Sequence, residues 1–168
     1  MITISDHQVC LLLGSNIQPE RNLPIAIDQL QNYLTILRIS STWETPALGP
    51  GGPSFLNAAL LAKTPLEQMA LKVHVLIPLE EKMGRVRSAD KCAHYPINLD
   101  IVLFDGLCLD QTLRRFPHRA VPMADIQPEI RLGAGQTLKE TAAKFMPEGS
   151  IRLRPDVVLW PSVNTRND

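Results

Sequence analysis

The chain has 168 residues, 45% of them hydrophobic and 20% charged, with 17 basic side chains against 17 acidic ones. That length and composition suit one soluble globular domain with a single sizeable core. The even charge excludes broad electrostatic attraction to nucleic acid or to a membrane surface, so any anion site has to be a local cluster.

Residues 9–13 form an apolar β run that ends at the turn signal Gly14-Ser15-Asn16. Over 21–34, Leu23, Ile27, Leu30 and Leu34 recur at helical spacing, with Pro24 assigned to the tolerated first turn. Residues 36–44 read as a second strand. The segment 46–53 is mostly proline and glycine and predicts a shaped loop. Residues 55–62 read as a third strand. Thr64-Pro65-Leu66-Glu67 predicts a helix start, with Thr64 as cap, Pro65 at the first helical position and Glu67 closing a capping box. That helix is expected to reach about Lys82, with Pro78 kinking it or ending its regular part. Residues 97–104 form a fourth strand closed by Asp105-Gly106, and 136–145 a short helix. Residues 146–168, with three prolines and no clear period, read as a C-terminal extension.

The order βαββαβ followed by a tail predicts an α+β fold. The expected form is a ferredoxin-like sandwich with an antiparallel sheet and its helices on one face. One domain is expected over 1–168, with a core at about 8–145. The apolar runs at 9–13 and 58–62 are far shorter than the ~20 residues that span a bilayer. Residues 1–8 lack the basic and apolar pattern of a signal peptide. Cys10, Cys92 and Cys108 have no paired ligand spacing and read as reduced thiols of a cytoplasmic protein.

Chemistry concentrates in 84–104. Arg85 and Arg87 open a loop that runs into the fourth strand. There Ile97, Leu99, Ile101 and Leu103 should point one way, and Asn98 and Asp100 the other, roughly 6–7 Å apart. An oxygen pair on a rigid strand, with guanidinium groups just upstream, suits a magnesium–polyphosphate complex. By spacing alone, the same pair also reads as the wet face of a half-exposed strand.

The residues that carry a wider resemblance are Leu13-Gly-Ser-Asn16, Ser41-Thr-Trp-Glu-Thr-Pro-Ala-Leu-Gly49, Phe55-Leu-Asn57, Glu80, Gly84-Arg-Val-Arg87, Asn98-Leu-Asp-Ile101 and Pro117-His118. In this order, from about residue 8 to 145, the chain resembles the 6-hydroxymethyl-7,8-dihydropterin pyrophosphokinases of folate biosynthesis. The resemblance implies magnesium-dependent transfer of the diphosphate of ATP to the pterin hydroxymethyl group, releasing AMP. ATP is then a co-substrate and Mg²⁺ the cofactor; pterin and ATP are the partners, with no nucleic acid or membrane.

It further implies that Phe55 stacks on the pterin and Asn57 bonds its polar edge, which suits a flat heterocycle. Thr45, Pro46 and Leu48 would line the same pocket. Glu80, Arg85, Arg87 and His118 would lie by the nucleotide. Arg85 and Asp100 would be catalytic, and Asp100 with Asn98 would hold the metal.

Three departures fall on this site. Asn98 stands where the resemblance implies a second aspartate, offering one neutral oxygen in place of two charged ones. Tyr95 stands where an arginine is implied, a single neutral donor in place of a charged fork. The segment after His118 is shortened by about eight residues, which removes a second pterin-stacking aromatic and an arginine. Arg119 can stand in for the arginine; Trp43 and Phe116 are the nearest aromatics. These departures keep two readings beside the pyrophosphokinase: a relative acting on another acceptor, and a member that binds a pterin, a nucleotide or a protein without turnover.

Overall fold

This computed structural model describes residues 5–160, apart from 48, 88–93 and 134. The chain begins with β1 (His7–Ser15), α1 (Pro19–Leu30), β2 (Thr35–Ile39), β3 (Trp43–Thr45) and β4 (Phe55–Thr64). It continues through α2 (Gln68–Leu71), a π-helical stretch (Lys72–Leu76), α3 (Ile77–Lys82), β5 (Asn98–Phe104) and β6 (Leu107–Cys108). Then follow α4 (Pro117–Ile126), β7 (Arg131–Leu132), β8 (Gln136–Thr137), α5 (Leu138–Ala143) and β9 (Arg152–Leu153).

The main sheet runs β6-β5-β1-β4-β3-β9, with β2 also beside β4. Its pairings are antiparallel among the described residues. The inner order β5-β1-β4-β2 is that of the expected ferredoxin-like α+β sandwich. β1 and β4 are apolar on both faces, and each face is covered. Val9, Leu11 and Leu13 pack with Leu56, Leu60, Leu23, Ile27 and Leu76 on one side. Cys10, Leu12, Ala59 and Leu61 pack with Leu113, Met123 and Ile126 on the other. Each fully buried leucine or isoleucine contributes about 1.5–3 kcal/mol. The second layer, α4 and α5, corrects the expectation of helices on one face. Burial of Cys10 pushes its thiol up to about 11, so it stays protonated and inert.

Other elements differ locally from expectation. Pro24 lies inside α1, past its first turn. The second strand is broken at Ser40, whose N–H donates to the Ala59 carbonyl at 2.8 Å and whose Oγ accepts from the Ala59 N–H at 2.8 Å. β2 itself carries a bulge: Ile36 pairs with Ala62 and Arg38 with Leu61, leaving Leu37 as an extra, exposed residue. Thr64 ends β4 rather than capping a helix. Its Oγ1 accepts from the Leu66 N–H at 3.1 Å, and α2 starts after Glu67 without a side-chain cap. The capping box belongs to Thr137 and Glu140 at α5, within the stretch expected to be helical from 136. Pro78, which has no N–H to give its preceding turn, is the second residue of α3, just past the π-helical stretch that ends at Leu76.

In β5 the strict alternation holds only to Ile101. The register shifts against β1 between Cys10 and Leu11, so Leu103 joins Cys10 on the second face, not Leu99 on the first. The extension from 146 is also built into the fold. β9 pairs with β3, the Arg154 N–H donates to the Thr42 carbonyl at 2.9 Å, and Val157 and Leu159 enter the first core. Among the described residues no helix is long and apolar enough to cross a membrane.

Candidate active site

One end of the second face is left without an apolar filling. The register sets Asn98, Gly14, Asn57 and Trp43 side by side across β5, β1, β4 and β3. With strands about 4.8 Å apart, Asn98 and Asn57 stand two spacings from each other. Gly14 between them carries no side chain. A Cβ there would meet Asn57 Oδ1 at 3.5 Å and the Phe55 ring at 3.9 Å. A glycine inside a strand marks a place where another molecule can approach the backbone. A cavity of about 640 Å³ opens over this row. Loop residues 46–47 and 49–53, Tyr95, Arg85 and the first turn of α4 wall it in.

The apolar half lies over β4. Asn57 is 4% exposed. Its Nδ2 donates to the Trp43 carbonyl at 3.2 Å and to Thr45 Oγ1 at 2.9 Å. These bonds fix the amide, and among the described residues nothing donates to its Oδ1. Phe55 stands two residues away on the same face. Its ring centroid is 6.0 Å from that of Tyr95, at an interplanar angle of 43°. Thr45 and Pro46 line this half. Leu48 lies outside the described residues.

The charged half lies over β5. Arg85 Nη1 donates to Asn98 Oδ1 at 2.8 Å and to Glu80 Oε1. Its Nε is buried with no acceptor among the described residues. Asn98 Nδ2 donates to Asp100 Oδ2 at 2.9 Å. The same oxygen receives Arg119 Nη2 at 3.3 Å. Nothing among the described residues donates to Asp100 Oδ1. Arg119 Nη1 donates to Asp110 Oδ2 at 2.6 Å. Burial raises the Asp110 carboxyl, but the Thr112 hydroxyl and N–H, with Arg119, outweigh it and hold the group below its ordinary value. His118 lines the cavity beside them. Its pKa falls to about 4, chiefly from burial and then from the Arg119 charge, so it is neutral at physiological pH.

The structure thus brings Thr45, Pro46, Phe55, Asn57, Arg85, Asn98, Asp100 and His118 to one cavity. Two expected nucleotide neighbours are not among its lining. Glu80 is 2% exposed, and its carboxylate accepts from the Leu99 N–H at 2.7 Å and from Arg87 at 3.3 Å as well as from Arg85. It is a buried anchor beneath the site. Burial pushes its carboxyl up, opposed by the Leu99 N–H and both arginines. Arg87 is tied to Glu80 with its side chain 58% exposed.

Neither aromatic considered for the second stacking face serves. Trp43 is buried with its Nε1 donating to Asp125 at 2.9 Å, and Phe116 rests on His118 with ring centroids 5.5 Å apart. Sequence reasoning missed Gly14 as the floor, and it missed Asp110. A glycine ending an otherwise apolar strand was a readable signal for the first. Asp110 carried no signal, because only the fold brings it to Arg119.

The sequence matches the family described as 7,8-dihydro-6-hydroxymethylpterin-pyrophosphokinase (HPPK) over residues 10–128. The chain is 31% identical over 159 residues to the 2-amino-4-hydroxy-6-hydroxymethyldihydropteridine pyrophosphokinase of Pseudomonas aeruginosa, spanning 88% of this chain and 97% of that protein. It is 28% identical over 156 residues to the protein of the same name from Aquifex aeolicus, spanning 86% and 93%. The fold resembles the crystal structure of Plasmodium falciparum HPPK-DHPS with pteroate, at a TM-score of 0.67 and 12% identity, over 86% of this chain. The match spans 43% of that chain, and the likeness is one of fold.

Proposed function

The chain belongs to the 7,8-dihydro-6-hydroxymethylpterin-pyrophosphokinase family, and we propose that it transfers the diphosphate of ATP to the hydroxymethyl oxygen of 6-hydroxymethyl-7,8-dihydropterin, releasing AMP. One observation carries this reading at the site. A slot for a flat polar ring and a cluster of guanidinium groups share a single cavity, meeting at Gly14. We take residues 1–168 as one domain acting in the cytoplasm, where ATP is at hand.

Phe55 takes the face of the pterin, and Asn57 Oδ1 takes an N–H of its edge. Arg85 and Arg119 take the polyphosphate through charge-assisted bonds. The buried Nε of Arg85 has no acceptor among the described residues, and it is a donor of the kind that an anionic oxygen satisfies. These contacts hold the hydroxymethyl oxygen near the β-phosphorus, and the fixed guanidinium groups face charge as it builds on the transferring group. The 46–53 loop and α4 keep water from the phosphates. The oxygen–phosphorus bond to the pterin forms as the bond to the AMP oxygen breaks, and the hydroxyl proton leaves to solvent or to a phosphate oxygen.

The donor set fits one magnesium ion. Asp100 Oδ1 has no donor among the described residues, Asn98 offers an amide oxygen, and Mg²⁺ is commonly bound by one or two carboxylates together with substrate phosphates. Among the described residues no three His, Cys, Asp or Glu side chains gather as a metal cluster. Asp100 and Asn98 would hold the ion, which when bound neutralises phosphate charge.

The test is AMP formation from ATP. AMP should appear only when pterin and Mg²⁺ are both present. No AMP from folded protein with all components would move the assignment to a binding role or another acceptor.

A further inference from the structure

Tyr95 replaces a cationic clamp implied by the family resemblance, and so reads first as a loss. Its surroundings give it a different part. Its ring faces Phe55 across the cavity they both line, with centroids 6.0 Å apart and planes inclined at 43°. The main chain beneath it is fixed. The Tyr95 N–H donates to Asn16 Oδ1 at 2.6 Å, and the Asn16 N–H donates to the Tyr95 carbonyl at 3.0 Å. Ser15 Oγ donates to the next carbonyl, that of Pro96, at 2.7 Å. Ser15 and Asn16 are themselves buried at the end of β1. The ring therefore hangs from a rigid base, and its own torsions are its main freedom.

We propose that Tyr95 is the second aromatic wall of the heterocycle slot, closing on the face of the bound ring opposite Phe55. This rests on reading the cavity as a pterin site. Two rings that sandwich a third stand roughly 7 Å apart, twice a contact distance of about 3.5 Å. Phe55 and Tyr95, at 6.0 Å, are short of that by about 1 Å and are not parallel. Turning a half-buried phenol about its side-chain bonds closes both gaps while the anchored main chain stays still. Without ligand the two rings cover one another, and the heterocycle replaces that contact with two fuller ones. Tyr95 thereby supplies the face that the shortened segment after His118 leaves out.

One further contact has to be separated from this role. The Arg85 guanidinium carbon lies 5.2 Å from the Tyr95 ring centroid, so the phenol could serve the arginine alone. Calorimetric titration of the full chain with 6-hydroxymethyl-7,8-dihydropterin, and separately with ATP, distinguishes the two. Tyr95→Leu should weaken pterin binding about tenfold, the usual scale of a lost stacking partner, and leave ATP within about twofold. Tyr95→Phe should bind pterin as the parent does.

Unchanged pterin affinity in Tyr95→Leu, with Phe55→Leu impaired, would overturn the proposal and leave the pterin reading standing. Weakened ATP binding with intact pterin binding would also overturn it. No pterin uptake by the parent chain would overturn the site reading itself. Tyr95→Trp gives an answer that does not depend on how Tyr95→Leu folds. The added indole emission should be quenched at saturating pterin, and unquenched emission would count against a stacking wall.

Discussion

Asp110 grips Arg119 at 2.6 Å through one nitrogen of its fork, and the other nitrogen lies 3.3 Å from Asp100. Asp110 has only 12% of its side chain exposed and is braced by the Thr112 hydroxyl at 2.6 Å and the Thr112 N–H at 2.8 Å. The guanidinium is thus aimed before any phosphate arrives. Asp110→Asn should keep the fold and lower kcat/KM for ATP about tenfold. Arg119→Ala should lower it about a hundredfold, the scale of losing a preorganised charged donor. Steady-state kinetics with varied ATP, beside thermal melts, would check both; equal losses in the two variants would deny Asp110 a merely positioning role.

Asn98→Asp tests the metal ligation. The change removes the Asn98 Nδ2 donor from Asp100 and sets two carboxylates on one strand face, whose repulsion Arg85 and Arg119 offset only in part when no metal ion lies between them. Its melting temperature should fall in EDTA by an amount equivalent to roughly 1 kcal/mol and rise more than the parent's on adding Mg²⁺. Turnover at limiting Mg²⁺ should rise too. The same Mg²⁺ increment in both proteins would rule out residue 98 as a ligand.

Glu80 is the counter-ion for two arginines and takes a strand N–H as well. Glu80→Gln leaves the Arg85 charge, 15% exposed, without its partner. The expected cost is about 3 kcal/mol of stability, read by urea unfolding, with a rise in KM for ATP as Arg85 loosens. A variant as stable as the parent would show that the ion pair contributes little.

How much of this was readable beforehand follows from the kind of signal each residue carried. β1, α1, β4 and β5 were legible because apolar spacing reports burial directly. α4 was missed because Pro122 interrupts its pattern, yet β1 and β4 are apolar on both faces, and a sheet like that requires a second layer. Thr64 and Thr137 both sit before a glutamate three residues on; only tertiary pairing, which draws Thr64 into β4, decides which one caps. Glu80 follows Leu76 and Leu79 at helical spacing, so its place on the buried face was on view, against the habit of reading glutamate as solvated. The Phe55–Tyr95 approach was not legible, because it joins two segments through folding alone.

His118 links stability to pH. Its folded pKa, about 4, lies below the ordinary 6.5, so the unfolded chain binds the proton more readily between those values. Stability from this group is therefore complete above pH 6.5 and is lost as pH falls toward 4. At about 1.4 kcal/mol per pKa unit, the loss approaches roughly 3 kcal/mol. Urea midpoints measured in EDTA from pH 7 to 4 should fall less steeply for His118→Gln than for the parent. Parallel curves would remove His118 from the account.

The bulge at Leu37 bears on the protein's behaviour at high concentration. Among the described residues β2 has β4 as its sheet neighbour and otherwise forms a margin of the sheet, where a straight ladder would invite another chain's backbone. Extruding Leu37 kinks that margin, and the Arg38 side chain next to it reaches over to the Ile126 carbonyl at 3.4 Å. A bent, charged border is a poor template for strand addition. Deleting Leu37 would straighten it, and solutions of that variant should scatter light at concentrations where the parent stays clear.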